Sequence, residues 1–306
     1  MGSTLGSVVF KPPAEATYGT DPNLIWLNTS ENQVIPAFFI DRQASHTLLF
    51  SHGNAEDLGS EGVVKKMREL SGVLDVNIFA YEYTGYGMST GEPSEEAMYA
   101  DIEAAYKYLT DIVGVPAEQI VLYGWSLGSG PSVNLATKAP VKGLVLQSAM
   151  SSVFRVALPV QVTLPGDMFA NIDKMRDVVC PVLILHGLQD ETIPVKHARE
   201  LAAGCRSPCL FEPLYVDGAG HSDVDSVGGK EFVDKFKAFL QWIDDEESGG
   251  GVRSAWTALQ DEKRLRAAAL ASLRSLSSTE CSKGRAVPGW QDISRNLKTT
   301  DTVAAN

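Results

Sequence analysis

The chain has 306 residues, of which 44% are hydrophobic and 21% charged, and a formal net charge of −12. That length suits one well-buried α/β domain with an appendage and is too short for several large domains. The acidity argues against nucleic acid as a general partner and against electrostatic adsorption of the main body onto an anionic membrane. The charge is uneven: residues 252–306 carry nine Lys/Arg against five Asp/Glu, so the acidic excess lies in residues 1–251.

The first residues, Met1-Gly2-Ser3-Thr4-Leu5-Gly6-Ser7, lack the basic start, apolar middle and cleavage site of a secretory signal, and no run of about 18 apolar residues reads as a membrane span. A cytoplasmic location is the expectation. Residues 1–23 read as an N-terminal arm. From there, short apolar runs alternate with helical segments to about residue 245. Asn23–Asn28 and Val34–Ile40 read as an opening antiparallel pair, and Thr47–Ser51 as a third strand. A helix over Ser60–Leu70 and a strand over Val76–Tyr81 follow. Ser94, with Glu95 and Glu96 behind it, starts a helix predicted to run through Leu109. Ile120–Tyr123 is a strand, Leu127–Thr137 a helix, and Gly143–Leu146 and Val182–Leu185 are apolar enough for buried parallel strands. Cys209–Val216 is the predicted last strand, and Glu231–Trp242 the closing helix.

Alternation of this kind predicts an α/β fold with a mostly parallel central sheet and helices on both faces. Ser152–Asn171 breaks the rhythm with Pro159, Pro165 and Gly166, and reads as a short cap segment or a plain surface excursion. Beyond residue 245, an acidic and then glycine-rich stretch predicts a flexible linker over residues 246–251. Ala255–Leu276 could form one helix, and the polar remainder to residue 306 reads as a disordered tail. Cys180, Cys205, Cys209 and Cys281 have neither zinc nor disulfide spacing. No metal cluster is visible, so neither metal nor cofactor is expected.

Chemistry enters at Gly124-Trp125-Ser126-Leu127-Gly128. A G-x-S-x-G pattern means little alone, but this one leaves an apolar strand and opens a helix, as a nucleophile elbow must. A serine hydroxyl is a poor nucleophile near neutral pH and needs a neighbouring base. Of the five histidines (His46, His52, His186, His197 and His221), only His221 follows the last strand, on the glycine-rich run Gly218-Ala219-Gly220. The orienting acid should follow the penultimate strand, where Asp190 stands; Glu191, Asp217, Asp223 and Asp225 are the competing acids. The order Ser126, Asp190, His221 is that of the α/β-hydrolase fold. A developing oxyanion needs fixed donors: the backbone N–H groups of Leu127 and of Asn54, after the third strand, are the candidates. His52, two residues earlier, reads as a brace for that loop rather than a second base.

Ser51-His52-Gly53-Asn54-Ala55, Tyr81-Glu82-Tyr83-Thr84-Gly85-Tyr86-Gly87-Met88-Ser89-Thr90-Gly91, the Ser126 motif extended through Ser129-Gly130, His186-Gly187-Leu188-Gln189-Asp190 and Gly218-Ala219-Gly220-His221 together resemble the alpha/beta hydrolase domain-containing 17 and Bem46-like proteins. Phe169-Ala170-Asn171-Ile172-Asp173-Lys174 adds to the likeness, which covers roughly residues 8–245. The resemblance implies a serine hydrolase, with palmitoyl thioesters on membrane-bound proteins as substrate. Alternatives are a serine peptidase of the same fold and a non-catalytic scaffold that binds a partner.

Two departures stand out. Those depalmitoylases carry an acylated N-terminal cysteine cluster, whereas the first cysteine here is Cys180, so that anchor is expected to be absent. Glu82 stands where an aspartate is usual. Gly2 offers another anchor through N-myristoylation, though Gly6 occupies the place where the pattern wants Ser or Thr. One such chain would give only marginal membrane binding.

Overall fold

The computed structural model describes residues 9–246 and Ala258. The linker and tail after residue 246, the helix expected over Ala255–Leu276 (Ala258 apart), Cys281 and Gly2 lie outside the described residues.

Eight strands form one sheet: β1 (Ile25–Asn28), β2 (Val34–Ile40), β3 (Thr47–Ser51), β4 (Asn77–Tyr81), β5 (Ile120–Trp125), β6 (Gly143–Gln147), β7 (Val182–Gly187) and β8 (Leu214–Val216). Their order is β1-β2-β4-β3-β5-β6-β7-β8. β1 pairs antiparallel with β2, and β2 with β4; every later pairing is parallel. The fold is therefore the α/β-hydrolase arrangement, with the opening antiparallel pair where the sequence places it.

Side-chain alternation along the strands divides the core. Leu49, Leu122, Leu144 and Ile184 point to one face, where they meet α2 (Glu95–Lys107), α3 (Ser129–Ala136) and α6 (Lys196–Gly204) through Met98, Ile102, Val133 and Leu201. Leu48, Phe50, Tyr123 and Leu185 point to the other, against α1 (Glu61–Leu74) and α7 (Val224–Glu246) through Met67, Leu70, Phe236 and Phe239. Each of these large side chains, fully buried, stabilises the fold by about 1.5–3 kcal/mol relative to exposure. α2 begins as the sequence predicts: the Ser94 hydroxyl accepts from Ala97 N–H at 3.0 Å, with Glu95 and Glu96 complementing the first turn. Its end passes into a π-helical stretch over Tyr108–Val113 that closes on Gly114 at φ 81°.

The structure differs from the sequence reading in several elements. The predicted strand Cys209–Val216 shrinks to Leu214–Val216, preceded by a 3₁₀ turn over Ser207–Cys209. Pro213 has no N–H to give a ladder, and Pro208 favours the turn. α6 appears where no helix was predicted. The closing helix starts earlier, at Val224, and bends at Gly229, whose φ of 47° only glycine adopts freely.

The Ser152–Asn171 excursion contains a short helix, α4 (Val153–Ala157), and leads into α5 (Asn171–Lys174). Its ends are pinned together: Val153 N–H donates to Met168 O at 3.0 Å, and Phe154 N–H to Asp167 Oδ1 at 2.8 Å. Among the described residues, no helix is long and apolar enough to cross a membrane.

Candidate active site

The parallel strands end on one edge of the sheet, and the loops that leave β3, β5, β7 and β8 there carry the residues singled out in the sequence. Ser126 leaves β5 with φ 55°, a left-handed conformation strained for a residue with a side chain. The turn works because its flanks are glycine. A Cβ on Gly124 would lie 2.7 Å from Gly128 O, and one on Gly128 only 2.2 Å from Ser51 O. Strand, helix and the β3 loop thus close on one another with no room for a methyl group.

Ser126 Oγ lies 2.8 Å from His221 Nε2, and His221 Nδ1 lies 2.8 Å from Asp190 Oδ2. Asp190 is fixed from behind. Its other oxygen accepts from the N–H groups of Thr192 at 2.9 Å and Ile193 at 2.8 Å. His186 Nε2 donates to Ile193 O at 2.8 Å and sits 3.3 Å from Asp190 Oδ2. Burial alone would raise the Asp190 carboxyl, but the hydrogen bonds from His186, His221 and Ile193 outweigh it and hold the group well below the usual carboxylate range. The acid in contact with the imidazole therefore remains ionised.

The competing acids are placed elsewhere. Asp223 Oδ1 accepts from Gly220 N–H at 2.7 Å, bracing the histidine loop. Asp217 bonds Gln189, Asp225 pairs with Lys66, and Glu191 is exposed. Among the other histidines, His46 meets Asp244 and His197 meets Ser151. Burial pushes the Cys180 thiol up and that of Cys205 to about 12, so neither offers a thiolate near neutral pH.

Leu127 sits in the first turn after the elbow, where helix N–H groups have no intrahelical acceptor. The loop bearing Asn54 lies against that elbow, with Gly53 facing the Trp125 ring at 3.5 Å from its would-be Cβ. His52 is fully buried, with Nδ1 2.9 Å from Gly53 O and Nε2 2.9 Å from Glu82 Oε1, so both ring nitrogens are engaged away from Ser126 Oγ. Tyr83 donates to His52 O at 2.6 Å.

Glu82 is more central than its position in the sequence suggests. Besides His52, it accepts from Tyr18 at 2.9 Å, Leu58 N–H at 3.0 Å and Tyr83 N–H at 3.2 Å. Ser148 escaped the sequence reading altogether. It follows β6 with φ 49° and donates its hydroxyl to His221 O at 2.8 Å. No motif marks it; a polar residue at the end of a buried strand is its only signal.

A family model described as Chlamydia CHLPS protein (DUF818) matches residues 35–143. The human alpha/beta hydrolase domain-containing protein 17B is 41% identical over 215 residues, covering 69% of this chain and 73% of that protein. The chain belongs to this alpha/beta hydrolase family. A nematode relative, alpha/beta hydrolase domain-containing protein aho-3 of Caenorhabditis elegans, is 44% identical over 195 residues, covering 63% of this chain and 57% of its own length. Among solved structures, the Pyrococcus furiosus esterase Pf2001 superposes with a TM-score of 0.64 at 17% identity, over 75% of this chain and 98% of the esterase. Mouse alpha/beta hydrolase domain-containing protein 10 gives 0.55 at 18% identity, over 72% and 99%. At those identities the likeness is one of fold. Family membership makes the chain a hydrolase.

Proposed function

We propose that the protein is a serine hydrolase that cleaves esters or thioesters through an acyl-enzyme on Ser126, with long-chain acyl groups on protein cysteines as its substrate class. The observation that carries this reading is the unbroken relay Asp190–His221–Ser126, both links at 2.8 Å, built on a serine with φ 55°. In the proposed cycle, His221 Nε2 takes the Ser126 proton as Oγ attacks the acyl carbonyl. Asp190 holds Nδ1–H and stabilises the imidazolium that forms. The N–H groups of Leu127 and Asn54 receive the oxyanion. Collapse of the tetrahedral intermediate expels the alcohol or thiol, which takes the proton back from His221, and water then hydrolyses the acyl-enzyme by the same route.

The thioester assignment rests on the family likeness and on the motifs quoted above. A partner that is itself an S-acylated protein follows from it, and so does work at a membrane surface. The test is turnover by the purified chain of matched palmitoyl-cysteine peptides, oxyesters and aminoacyl peptides. Faster turnover of the thioester is the expected result. Cleavage of aminoacyl peptides or short oxyesters with palmitoyl-cysteine peptides left intact would overturn the substrate assignment and leave the hydrolase standing.

A further inference from the structure

Residues 9–18 of the N-terminal arm pack onto the domain. Phe10 is only 3% exposed and packs edge-on against Phe169, with ring centroids 6.1 Å apart. On either side of it the backbone is clasped by one side chain. Asn54 Nδ2 donates to Val9 O at 2.7 Å, and Asn54 Oδ1 accepts from Lys11 N–H at 3.0 Å. The same oxygen accepts from Tyr86 Oη at 2.8 Å and from Ala55 N–H at 3.1 Å. Further along the arm, Thr17 N–H donates to Asp57 Oδ2 at 2.7 Å, and the Thr17 hydroxyl meets the other oxygen of Asp57. Tyr18 donates to Glu82 at 2.9 Å. Its Cβ lies 2.6 Å from where a Cβ on Gly59 would stand, so the arm is pressed onto the loop.

We propose that residues 9–18 are a strap that sets the geometry of the oxyanion loop over residues 52–59, with Asn54 as its positioning residue. The inference rests on the serine-hydrolase reading above. Asn54 would serve twice: its backbone N–H meets the developing oxyanion, and its side chain fixes where that N–H points. Ala55, the next residue, has φ 58°, so the chain turns sharply just after the donor. An amide group that accepts three hydrogen bonds and donates one is the restraint that holds this turn from the solvent side. His52, through Glu82 and Tyr83, holds it from the protein side. Loss of the clasp would leave the N–H in place chemically but misdirected, and a misplacement of about 1 Å at a reacting group costs on the order of 10²-fold in rate.

The test compares full-length wild type with Asn54→Ala, Asn54→Asp and Phe10→Ala, using p-nitrophenyl octanoate as substrate and octylboronic acid as an inhibitor whose tetrahedral adduct fills the oxyanion position. Asn54→Ala is expected to lower kcat by about 30- to 100-fold with KM within about twofold, and to weaken the boronate in parallel. Asn54→Asp keeps the acceptor for Lys11, Tyr86 and Ala55 but turns a carboxylate oxygen toward Val9 O in place of the Nδ2 donor, so it is expected to recover only part of the loss. Phe10→Ala, which removes the side chain buried against Phe169, is expected to give the same kcat-specific signature to a smaller degree. A folded Asn54→Ala protein with wild-type kcat, or one whose loss falls on KM while boronate affinity is unchanged, would overturn the strap. If Asn54→Ala fails to fold, Phe10→Ala decides by the same criterion. Should wild type neither turn over the ester nor react with a fluorophosphonate, the hydrolase reading itself fails. Hydrogen exchange over residues 52–59 then tests the strap alone: Phe10→Ala must accelerate it, and unchanged exchange overturns the proposal.

Discussion

The Ser148 hydroxyl donates to the backbone carbonyl of His221 at 2.8 Å, joining two loops that lie 73 residues apart in the chain. His221 is therefore held at three points: Nδ1 by Asp190, Nε2 against Ser126, and its main chain by Ser148. Ser148 takes φ 49° to reach it. A left-handed serine is a conformational cost that the hydrogen bond offsets.

Ser148→Ala tests that anchor. One net hydrogen bond contributes about 1 kcal/mol to stability, so a loss of about that size is expected, and if the freed His221 loop loses a similar amount of transition-state stabilisation the fluorophosphonate reaction slows about five- to tenfold. An unchanged rate would show that the His221 loop needs no tether from β6.

Asp190→Asn separates orientation from packing. The amide oxygen still accepts from the Thr192 and Ile193 N–H groups, but the NH2 group is then directed at His221 Nδ1 and favours the wrong imidazole tautomer. Turnover is expected to drop on the order of 10⁴-fold in a folded protein. A loss below tenfold, measured with the same acyl substrate, would remove Asp190 from the relay.

Two glycines make a matched pair for stability. In Gly128→Ala the new methyl would sit 2.2 Å from Ser51 O and 2.8 Å from His52 O, both backbone atoms that cannot step aside. A loss of about 4 kcal/mol or more, or failure to accumulate as folded protein, is expected. Gly72 lies exposed within α1, with nothing within 4 Å of its would-be Cβ, so Gly72→Ala should stabilise by about 0.5–1 kcal/mol. Urea unfolding reads both; equal effects would contradict the packing described at the elbow.

His197 makes stability depend on pH. Burial, aided by Lys196, His186 and Arg155 against the pull of Glu200, lowers it from an ordinary 6.5 to about 4. Because the folded value is the lower one, falling pH protonates the unfolded chain first. The stability His197 contributes is complete above about pH 6.5 and is lost as pH falls toward 4. Asp101, which burial raises to about 7, works in the opposite sense: its contribution is complete below about 4 and is lost as pH rises through 7. The raw wild-type profile mixes the two, so the informative quantity is the stability gap between wild type and His197→Gln. That gap should narrow steadily, in the variant's favour, between pH 7 and pH 4.5; a constant gap would rule out the buried neutral imidazole.

The sequence showed most of what repeats and little of what closes the site. Strands β3 to β7 are mostly apolar and wholly buried, and buried parallel strands need little else to be seen. Ser126, Asp190 and His221 were legible because chain order assigns each to the end of a particular strand. α6 is silent in the sequence for a physical reason. It has no side-chain N-cap, and its buried face rests on His197, Ala198 and Leu201 alone, too short a stripe to show a period. The last strand looks longer in the sequence than it is, because apolar residues flank Pro213 and a missing N–H leaves no trace in hydrophobicity. The arm over residues 9–18 has no periodicity at all. Its hold on Asn54, Asp57 and Glu82 spans 40 to 64 positions and arises only from the folded arrangement.

The most direct measurement is intact-mass and peptide mapping of the full-length protein after reaction with a fluorophosphonate. A single adduct on Ser126, abolished in a folded Ser126→Ala protein and strongly slowed in His221→Ala, is the expected result. Equal labelling of wild type and Ser126→Ala, or an adduct that maps to another residue, would contradict the assignment of Ser126 as the nucleophile.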